Sequence, residues 1–226
     1  LYIDMGEEKG CHKEGCYVGC DCERYLEFWN LVFNEFFQDT DGKLSPLQNV
    51  GIDTGMGLER LCYIMQGTES NYQTDVMKPI VDAISKKLNI KYEDKNKTKI
   101  NLIADHLRAL VFVIGEGCIP SNEGRGYVLR RLLRRALKTA NDFGYKNAFL
   151  NEITDSVINV YGCIYDNLPK EENNIKRILK EEENKFINTI SAGINKLYSV
   201  MEDSKDKIIK GSDAFMLFDT YGLPLD

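Results

Sequence analysis

The sequence has 226 residues, of which 43% are hydrophobic and 28% charged, which is typical of a globular protein with one large or two small domains. The net charge of −6 excludes a uniformly basic nucleic-acid coat, although a single element can still carry a basic face. No apolar run reaches membrane-spanning length and no signal peptide is present, so the 7 cysteines predict a reducing, cytoplasmic location.

Residues 1–70 are predicted to combine strands with glycine-containing loops. The expected elements are a strand end at 1–4, an irregular loop at 7–22, a central strand at 25–37, a turn at 39–42 and a second strand at 50–54. The strand at 25–37 is indicated by its dense apolar and aromatic side chains, which alternate between two faces.

The loop at 7–22 contains four closely spaced cysteines, Cys11, Cys16, Cys20 and Cys22. In a reducing compartment four thiolates this close together can form a tetrahedral zinc site, which would be structural because no coordination position stays open. The spacing lacks paired C-x-x-C knuckles, so the alternative is a loop with free thiols. The other cysteines, Cys62, Cys118 and Cys163, lie in apolar contexts and are predicted to belong to the core.

A glycine-containing motif follows the second strand. Residues 52–61 read Ile-Asp-Thr-Gly-Met-Gly-Leu-Glu-Arg-Leu, and apolar spacing predicts a helix that begins near Gly57. Gly55 and Gly57 carry no Cβ, and a helix start attracts phosphate. Arg60 can hold phosphate oxygens in a bidentate fork, and Asp53 can bind an ammonium group. The alternative is a plain strand–turn–helix in which Arg60 pairs with a surface carboxylate.

The remainder of the chain is predicted to be helical, and we place the domain boundary between 1–70 and 71–226. The expected helices are 72–88, 100–117, 124–143, 149–168 and 170–203, with a polar loop at 91–97 and Pro169 ending the fourth helix. In the last of these helices the segment 171–183 is rich in acidic residues.

The third of these helices concentrates positive charge in the pairs Arg130/Arg134 and Arg131/Arg135. Each pair stacks like charges at i,i+4, which costs roughly 0.2–0.5 kcal/mol in isolation, so we expect a neutralising partner. Two candidates remain open: the acidic 171–183 segment of the same chain, or a nucleic-acid phosphate backbone.

Four motifs, in order along nearly the whole chain, resemble those of alanyl-tRNA synthetases. They are residues 29–33 (Trp-Asn-Leu-Val-Phe), 52–60, 120–131 (Pro-Ser-Asn-Glu-Gly-Arg-Gly-Tyr-Val-Leu-Arg-Arg) and 218–224 (Phe-Asp-Thr-Tyr-Gly-Leu-Pro). Several long motifs in register are more specific than any one of them. The resemblance makes residues 52–61 motif 3 of a class II synthetase.

The resemblance implies an α+β fold, with part of a class II antiparallel catalytic sheet followed by a helical tRNA-recognition domain. It implies that Phe28, Trp29 and Asn30 line the pocket for ATP and the aminoacyl-adenylate. Gly57 would contact ATP, and Arg60 would hold its phosphates together with Mg²⁺.

For the amino acid, the resemblance implies a pocket for L-alanine formed by Asn30, Val32, Asp53 and Gly55, with Asp53 opposite the ammonium group. Asp53 and Arg60 are therefore the expected catalytic residues. The small side chain of alanine is hard to distinguish from serine or glycine by binding alone, so a proofreading domain is also expected.

For RNA, the resemblance implies that Asn122 and Asp219 read the G·U pair of the tRNA(Ala) acceptor stem in its shallow minor groove. The residues expected on its phosphates are Arg125, Arg130, Arg131, Arg134 and Arg135. No DNA or membrane partner is expected.

The resemblance also implies that motifs 1 and 2, the editing domain with its own zinc and a C-terminal domain lie outside this sequence. We therefore expect the activity of an alanine–tRNA ligase in a longer chain, with the 226 residues alone inactive. The alternative is a non-catalytic module that binds the acceptor stem.

Overall fold

The computed structural model describes residues 1–203 and 208–220, apart from the side chains of Ile190, Ser191, Asp203 and Asp219. The chain divides into two compact units, Leu1–Asp75 and Val76–Asp226. The first contains all the strands of the described residues and the second is helical, so the predicted α+β class is confirmed. The division falls a few residues beyond the predicted boundary at 70/71, and the identity of the two predicted domains stays a prediction.

The first unit consists of two antiparallel strand pairs and a short helix. β1 (Tyr2–Asp4) pairs with β2 (Tyr25–Glu27), and β3 (Trp29–Gln38) pairs with β4 (Leu44–Met56). The chain then enters α1 (Leu58–Gln66) directly after Gly57, as the apolar spacing predicted.

The strand predicted at 25–37 is in fact two strands separated by Phe28. The N–H of Phe28 donates to the carbonyl of Leu1 at 3.2 Å, and its own carbonyl accepts the N–H of Gly57 at 3.1 Å. Within the described residues β3 pairs with β4 alone, so the predicted central position is not observed. The predicted strand at 50–54 is the middle of the longer β4.

The turn at 39–42 is confirmed and has a clear local cause. The carboxylate of Asp39 accepts the backbone N–H groups of Asp41 and Lys43 at 3.0 and 2.8 Å. Gly42 adopts φ of +81°, a conformation that residues with a Cβ rarely take. This turn sets where β3 and β4 begin to pair.

Very few side chains of the first unit are buried. Tyr63 and Thr74 are the buried residues of 1–75, while large apolar side chains of β3 and β4 such as Phe33 and Ile52 are 68% and 59% exposed. A two-stranded ribbon of this kind has little stability of its own. Hydrogen bonding and side-chain contacts therefore have to hold the local geometry of this unit.

The second unit is a helical bundle with a continuous apolar core. Its helices are α2 (Lys78–Leu88), α3 (Asp94–Gly115), α4 (Gly124–Asn141), α5 (Leu150–Tyr161), α6 (Asn167–Lys170), α7 (Glu172–Asp203) and α8 (Gly211–Asp219). The predicted stripe of the second helix is confirmed, since Ile103, Leu107, Leu110, Val111 and Ile114 are fully buried. None of the described helices has both the length and the apolar character that crossing a bilayer requires.

Several predicted helix ends are wrong for local reasons. α2 begins at Lys78 rather than 72, because Pro79 fits only the first turn of a helix. α3 begins at Asp94 inside the predicted loop 91–97. α5 ends at Tyr161, well before 168, and Pro169 instead packs on Gly162, where an added Cβ would lie 2.8 Å from the proline ring.

A buried carboxylate fastens α5 to α7. Glu183 of α7 is fully buried and accepts the backbone N–H groups of Phe149, Leu150 and Asn151 at 2.8, 2.8 and 3.2 Å, as well as the Asn151 amide at 2.8 Å. The free N–H groups and the positive dipole end of a helix start favour a negative charge. Glu183 therefore caps α5 from a neighbouring helix.

Glu183→Ala should loosen the start of α5, because two buried N–H groups and one half-buried N–H group would lose their acceptor at a cost of about 2 kcal/mol or more. Hydrogen–deuterium exchange on the complete gene product should be at least tenfold faster at the amides of 149–151. Glu181→Ala is the control, since that carboxylate is 51% exposed and pairs with Arg177. Equal exchange in the two variants would contradict the capping role.

Candidate functional site

The register of β3 and β4 collects four predicted pocket residues on one face of the ribbon. Asn30 lies opposite Gly55, and Val32 lies opposite Asp53. Directly opposed residues of an antiparallel pair point to the same side, and every second pair shares a face. All four residues are exposed. One face of the ribbon thus carries the carboxylate of Asp53, the amide of Asn30 and the small apolar side chain of Val32, next to the bare backbone of Gly55.

The other face of the ribbon carries Trp29, whose indole N–H donates to the Thr54 hydroxyl across the strand pair. Trp29 and Asn30 are neighbours in sequence, so they point to opposite sides of β3. The two side chains therefore lie on opposite faces of the ribbon. Phe28 lies between β2 and β3 and is half-buried. Their roles toward ATP stay predictions.

Glu27, which the sequence reasoning missed, connects the pocket face to the start of α1. One carboxylate oxygen accepts the Asn30 amide at 3.2 Å, and the other accepts the Tyr2 hydroxyl at 3.3 Å. Its backbone carbonyl accepts the guanidinium of Arg60. The hydrogen bond from Asn30, with those from Tyr2 and the charge of Arg60, holds the pKa of Glu27 below its usual value.

The sequence pattern predicts a single strand over 25–37, and in a single strand Glu27 does not belong to the candidate site. Continuous alternation would have put Glu27 on the side of Trp29, away from Asn30. The break at Phe28 changes that phase, and Glu27 reaches Asn30 instead. A carboxylate just before the aromatic motif at 29–33 was the one available signal.

The second glycine of the motif joins β4 to α1. Gly57 stands at the N-cap with φ of −75°, and no side chain caps the helix. An added Cβ there would lie 3.4 Å from the Arg60 side chain, while at Gly55 it would meet nothing within 4 Å in the described residues. Arg60 lies in the first turn of α1 and is exposed. The predicted arrangement of turn, helix start and arginine is present.

The four cysteines of the 7–22 loop lie together. Their sulfur atoms are all within 4.8 Å of one another, and these cysteines could hold a metal ion. The backbone N–H of Arg24 lowers the pKa of Cys22 to about 7, whereas burial raises the pKa of Cys16 to about 11. Of the other cysteines, Cys163 is exposed, so its predicted place in the core is wrong.

In the second unit, two arginines of α4 face α7. Arg130 pairs with Glu182 at 3.1 Å and also donates to the side-chain oxygen of Asn122, with only 18% of its side chain exposed. The guanidinium of Arg134 lies 5.3 Å from the ring centre of Phe186, and burial lowers its pKa. The acidic segment of the same chain therefore neutralises Arg130.

The remaining arginines of α4 point outward. Arg125, Arg131 and Arg135 are exposed, and none of them forms an ion pair among the described residues. They are the ones that the geometry leaves open to an external anion. The roles of all five arginines toward tRNA stay predictions.

The loop before α4 is held close to the helix by a glycine. A Cβ on the buried Gly126 would lie 2.2 Å from the Ser121 hydroxyl and 2.5 Å from the carbonyl of Ile119. Only glycine allows this approach, which fixes the exposed Asn122 beside Arg130. The side chain of Asp219, the other predicted reader of the acceptor stem, lies outside the described residues.

Arg130→Met should destabilise the contact of α4 with α7, whereas Arg131→Met should not. An uncompensated buried charge costs about 3–5 kcal/mol, but Lys185 remains 3.0 Å from Glu182. We therefore expect a loss of about 2 kcal/mol in the free energy of local opening. Hydrogen exchange in α4 and α7 of the complete gene product measures it, and an equal effect of both variants would refute the assigned orientation.

The chain is similar in sequence to known proteins along its whole length. The family model described as tRNA synthetases class II (A) matches residues 1–226. The chain is 46% identical to a protein named alanine–tRNA ligase from Clostridioides difficile, and 46% and 42% identical to proteins of the same name from Caldicellulosiruptor saccharolyticus and Pelotomaculum thermopropionicum. Each match covers 100% of this chain and 26% of the relative, so the chain spans about a quarter of their length. The whole of the chain belongs to the family of class II (A) tRNA synthetases.

Proposed function

We propose that this chain is part of an alanine–tRNA ligase, which activates L-alanine with ATP and transfers it to tRNA(Ala) in the cytoplasm. The observation that carries the proposal is the shared face of Asn30, Val32, Asp53 and Gly55, joined through Glu27 to Arg60. The names of the relatives, which describe longer proteins, support the same activity.

The amino-acid end of the site is the face of the ribbon. Asp53 offers a carboxylate for the ammonium group of alanine, and Asn30 offers an amide for its polar atoms. Gly55 has no positive φ, and a Cβ there would strike nothing among the described residues, so these contacts do not require a glycine at this position. A ligand that lies close to the backbone gives a reason for it, and Val32 beside it suits a methyl group.

The nucleotide end is the turn into α1. Arg60 can neutralise the phosphates of ATP, and the glycine at 57 lets them approach the backbone. Glu27 and the free amide oxygen of Asn30 fit Mg²⁺, which prefers carboxylate and carbonyl oxygens and usually binds together with substrate phosphates. Bound there, Mg²⁺ would supply charge neutralisation of the pyrophosphate.

In the reaction, the carboxylate of alanine attacks the α-phosphate in line and pyrophosphate leaves. A hydroxyl of the terminal ribose of the tRNA then attacks the alanyl carbonyl carbon of the adenylate, and AMP leaves. No nucleophile from the protein is needed, so Asp53 and Asn30 act by orientation and Arg60 by electrostatic stabilisation. The third expected cofactor, Zn²⁺ at the four cysteines, would be structural.

The RNA end lies in the helical unit. We propose that Arg131 and Arg135, with Arg125 near the helix start, contact acceptor-stem phosphates. These arginines form no ion pair in the part of the chain that the structure describes, and in a chain of net charge −6 they are suited to an external polyanion. Asn122 would read the G·U pair together with Asp219, although it must first exchange its contact with Arg130.

The proposal is tested in the complete gene product by alanine-dependent exchange of pyrophosphate into ATP. Asp53→Asn should raise KM for alanine about 10- to 100-fold, because a charge-assisted contact worth about 1.5–3 kcal/mol is lost. KM for ATP should change less than about twofold. Asp41→Asn, which removes an exposed carboxylate of the β3–β4 turn, should alter neither value.

Equal loss for alanine and ATP would overturn the role of Asp53. The rival function, a tRNA-binding module without chemistry, predicts no alanine-dependent exchange in the complete gene product. It also predicts tRNA binding that is unchanged by Asp53→Asn. A wild-type protein that shows exchange excludes this rival.

Arg131→Gln and Arg135→Gln should each weaken tRNA(Ala) binding and lower the slope of log affinity against log salt concentration by about one, as expected when one phosphate contact is lost. Exchange activity without tRNA should be unaffected. Arg177→Gln is the matched control, an exposed arginine of α7 that pairs with Glu181. Equal effects of all three variants would argue against a specific contact by α4.

A further inference from the structure

The four clustered cysteines have the spacing of ligands to one ion. The sulfurs of Cys11 and Cys20 are 3.8 Å apart, and those of Cys16 and Cys22 are 3.6 Å apart. A zinc–sulfur bond of about 2.3 Å in a tetrahedron gives sulfur–sulfur edges of about 3.8 Å. Disulfide bonds need about 2.05 Å, and iron–sulfur clusters hold their cysteines farther apart because inorganic sulfides lie between the irons.

The backbone of the loop brings the cysteines together. The N–H of Cys16 donates to the carbonyl of Lys13 at 3.3 Å, and the N–H of Cys20 donates to the carbonyl of Tyr17 at 3.0 Å. Positive φ at His12, Gly15 and Gly19 turns the chain back on itself between successive cysteines. The loop is therefore shaped around the four sulfurs.

Hydrogen bonds and ion pairs, rather than a core, close the loop: the N–H of Met5 donates to the carbonyl of Arg24 at 2.7 Å, and Arg24 pairs with Asp4. No residue from 1 to 24 is buried, so a hydrophobic core is absent from this stretch. The two strands that flank it, β1 and β2, are three residues long each and pair only with one another among the described residues. So short a strand pair is not stable by itself.

A continuous series of contacts leads from the cysteines to the pocket. Arg24, two residues after Cys22, binds the Asp4 carboxylate through its Nε at 3.0 Å and its terminal nitrogen at 2.9 Å. The pairing of β1 with β2 puts Tyr2 opposite Glu27, and the Tyr2 hydroxyl donates to its carboxylate at 3.3 Å. Glu27 then accepts the amide of Asn30.

We propose that Cys11, Cys16, Cys20 and Cys22 bind one structural Zn²⁺ that closes the loop between β1 and β2 and so holds Glu27 against Asn30. Zn²⁺ suits four thiolates, because soft sulfur ligands in tetrahedral geometry select it over harder ions. The cysteines are positioning residues and take no part in chemistry. The metal site stands on geometry alone, and only its effect on catalysis rests on the proposed function.

The first experiment counts metal in the complete gene product. The double variant Cys16→Ser/Cys22→Ser should contain one equivalent of zinc less than the wild type. The measured quantity is the difference in zinc content between the two proteins, because other parts of a longer protein can bind metal too. Cys163→Ser, at an exposed thiol outside the cluster, is the control and should keep the wild-type content. Unchanged zinc in the double variant would overturn the proposal.

A second measurement does not depend on the variant's folding. Wild-type protein loaded with Co²⁺ should show the intense visible and near-ultraviolet absorption of tetrahedral cobalt thiolates, in an amount matching the zinc lost above. Stripping the metal should then speed hydrogen exchange at residues 2–5 and 24–27 at least tenfold and leave residues 34–46 unchanged. Absence of the thiolate bands, or unaltered exchange at 2–5, would overturn it.

The link to catalysis has its own readout. If Glu27 is displaced, alanine-dependent exchange should need about 10- to 100-fold more Mg²⁺ for half-maximal rate, since a misplaced group of about 1 Å can cost that much. Zinc loss with an unchanged Mg²⁺ requirement would refute the link to Glu27. A wild type that binds zinc but shows no exchange would instead refute the proposed function.

Discussion

The register of β3 against β4 is the constraint on which the candidate site depends. Val32 opposite Asp53 and Asn30 opposite Gly55 put one carboxylate, one amide and two small groups on the same side. A shift of the pairing by one residue would turn each side chain of one strand to the other face, and the four residues would no longer share one side. The turn at Asp39 and the irregularity between Asn34 and Phe36 lie farther along the ribbon, so the paired segment next to α1 stays regular.

The phase break at Phe28 is the second feature that shapes this site. In a continuous strand, two residues three positions apart point to opposite faces. Strand alternation restarts at Phe28, so the side chains of Glu27 and Asn30 meet. Phe28 receives the N–H of Gly57 and so ties the start of α1 to the ribbon. Next to this irregularity, the carboxylate of Glu27 accepts the amide of Asn30 and its backbone carbonyl accepts the guanidinium of Arg60.

In the helical unit, the 3.6-residue period of α4 places its arginines on two different sides of the helix. Arg130 and Arg134, four residues apart, share the side that meets Glu182 and Phe186 of α7. Arg131 directly follows Arg130, so its side chain lies on a different side of the helix and is exposed. The acidic segment therefore accounts for Arg130, while Arg131 and Arg135 form no ion pair among the described residues and stay open to an external anion.

Sequence patterns were enough to predict the α+β class, the helix that begins after Gly57, the buried stripe of α3 and the family. These follow from local periodicity and from motifs read in order, which need no knowledge of distant contacts. Three contacts became visible only in the folded chain: Glu27 with Asn30, Arg130 with Glu182, and Glu183 with the start of α5. Each depends on contacts between residues far apart in sequence or on a break in strand phase, and a one-dimensional pattern carries neither.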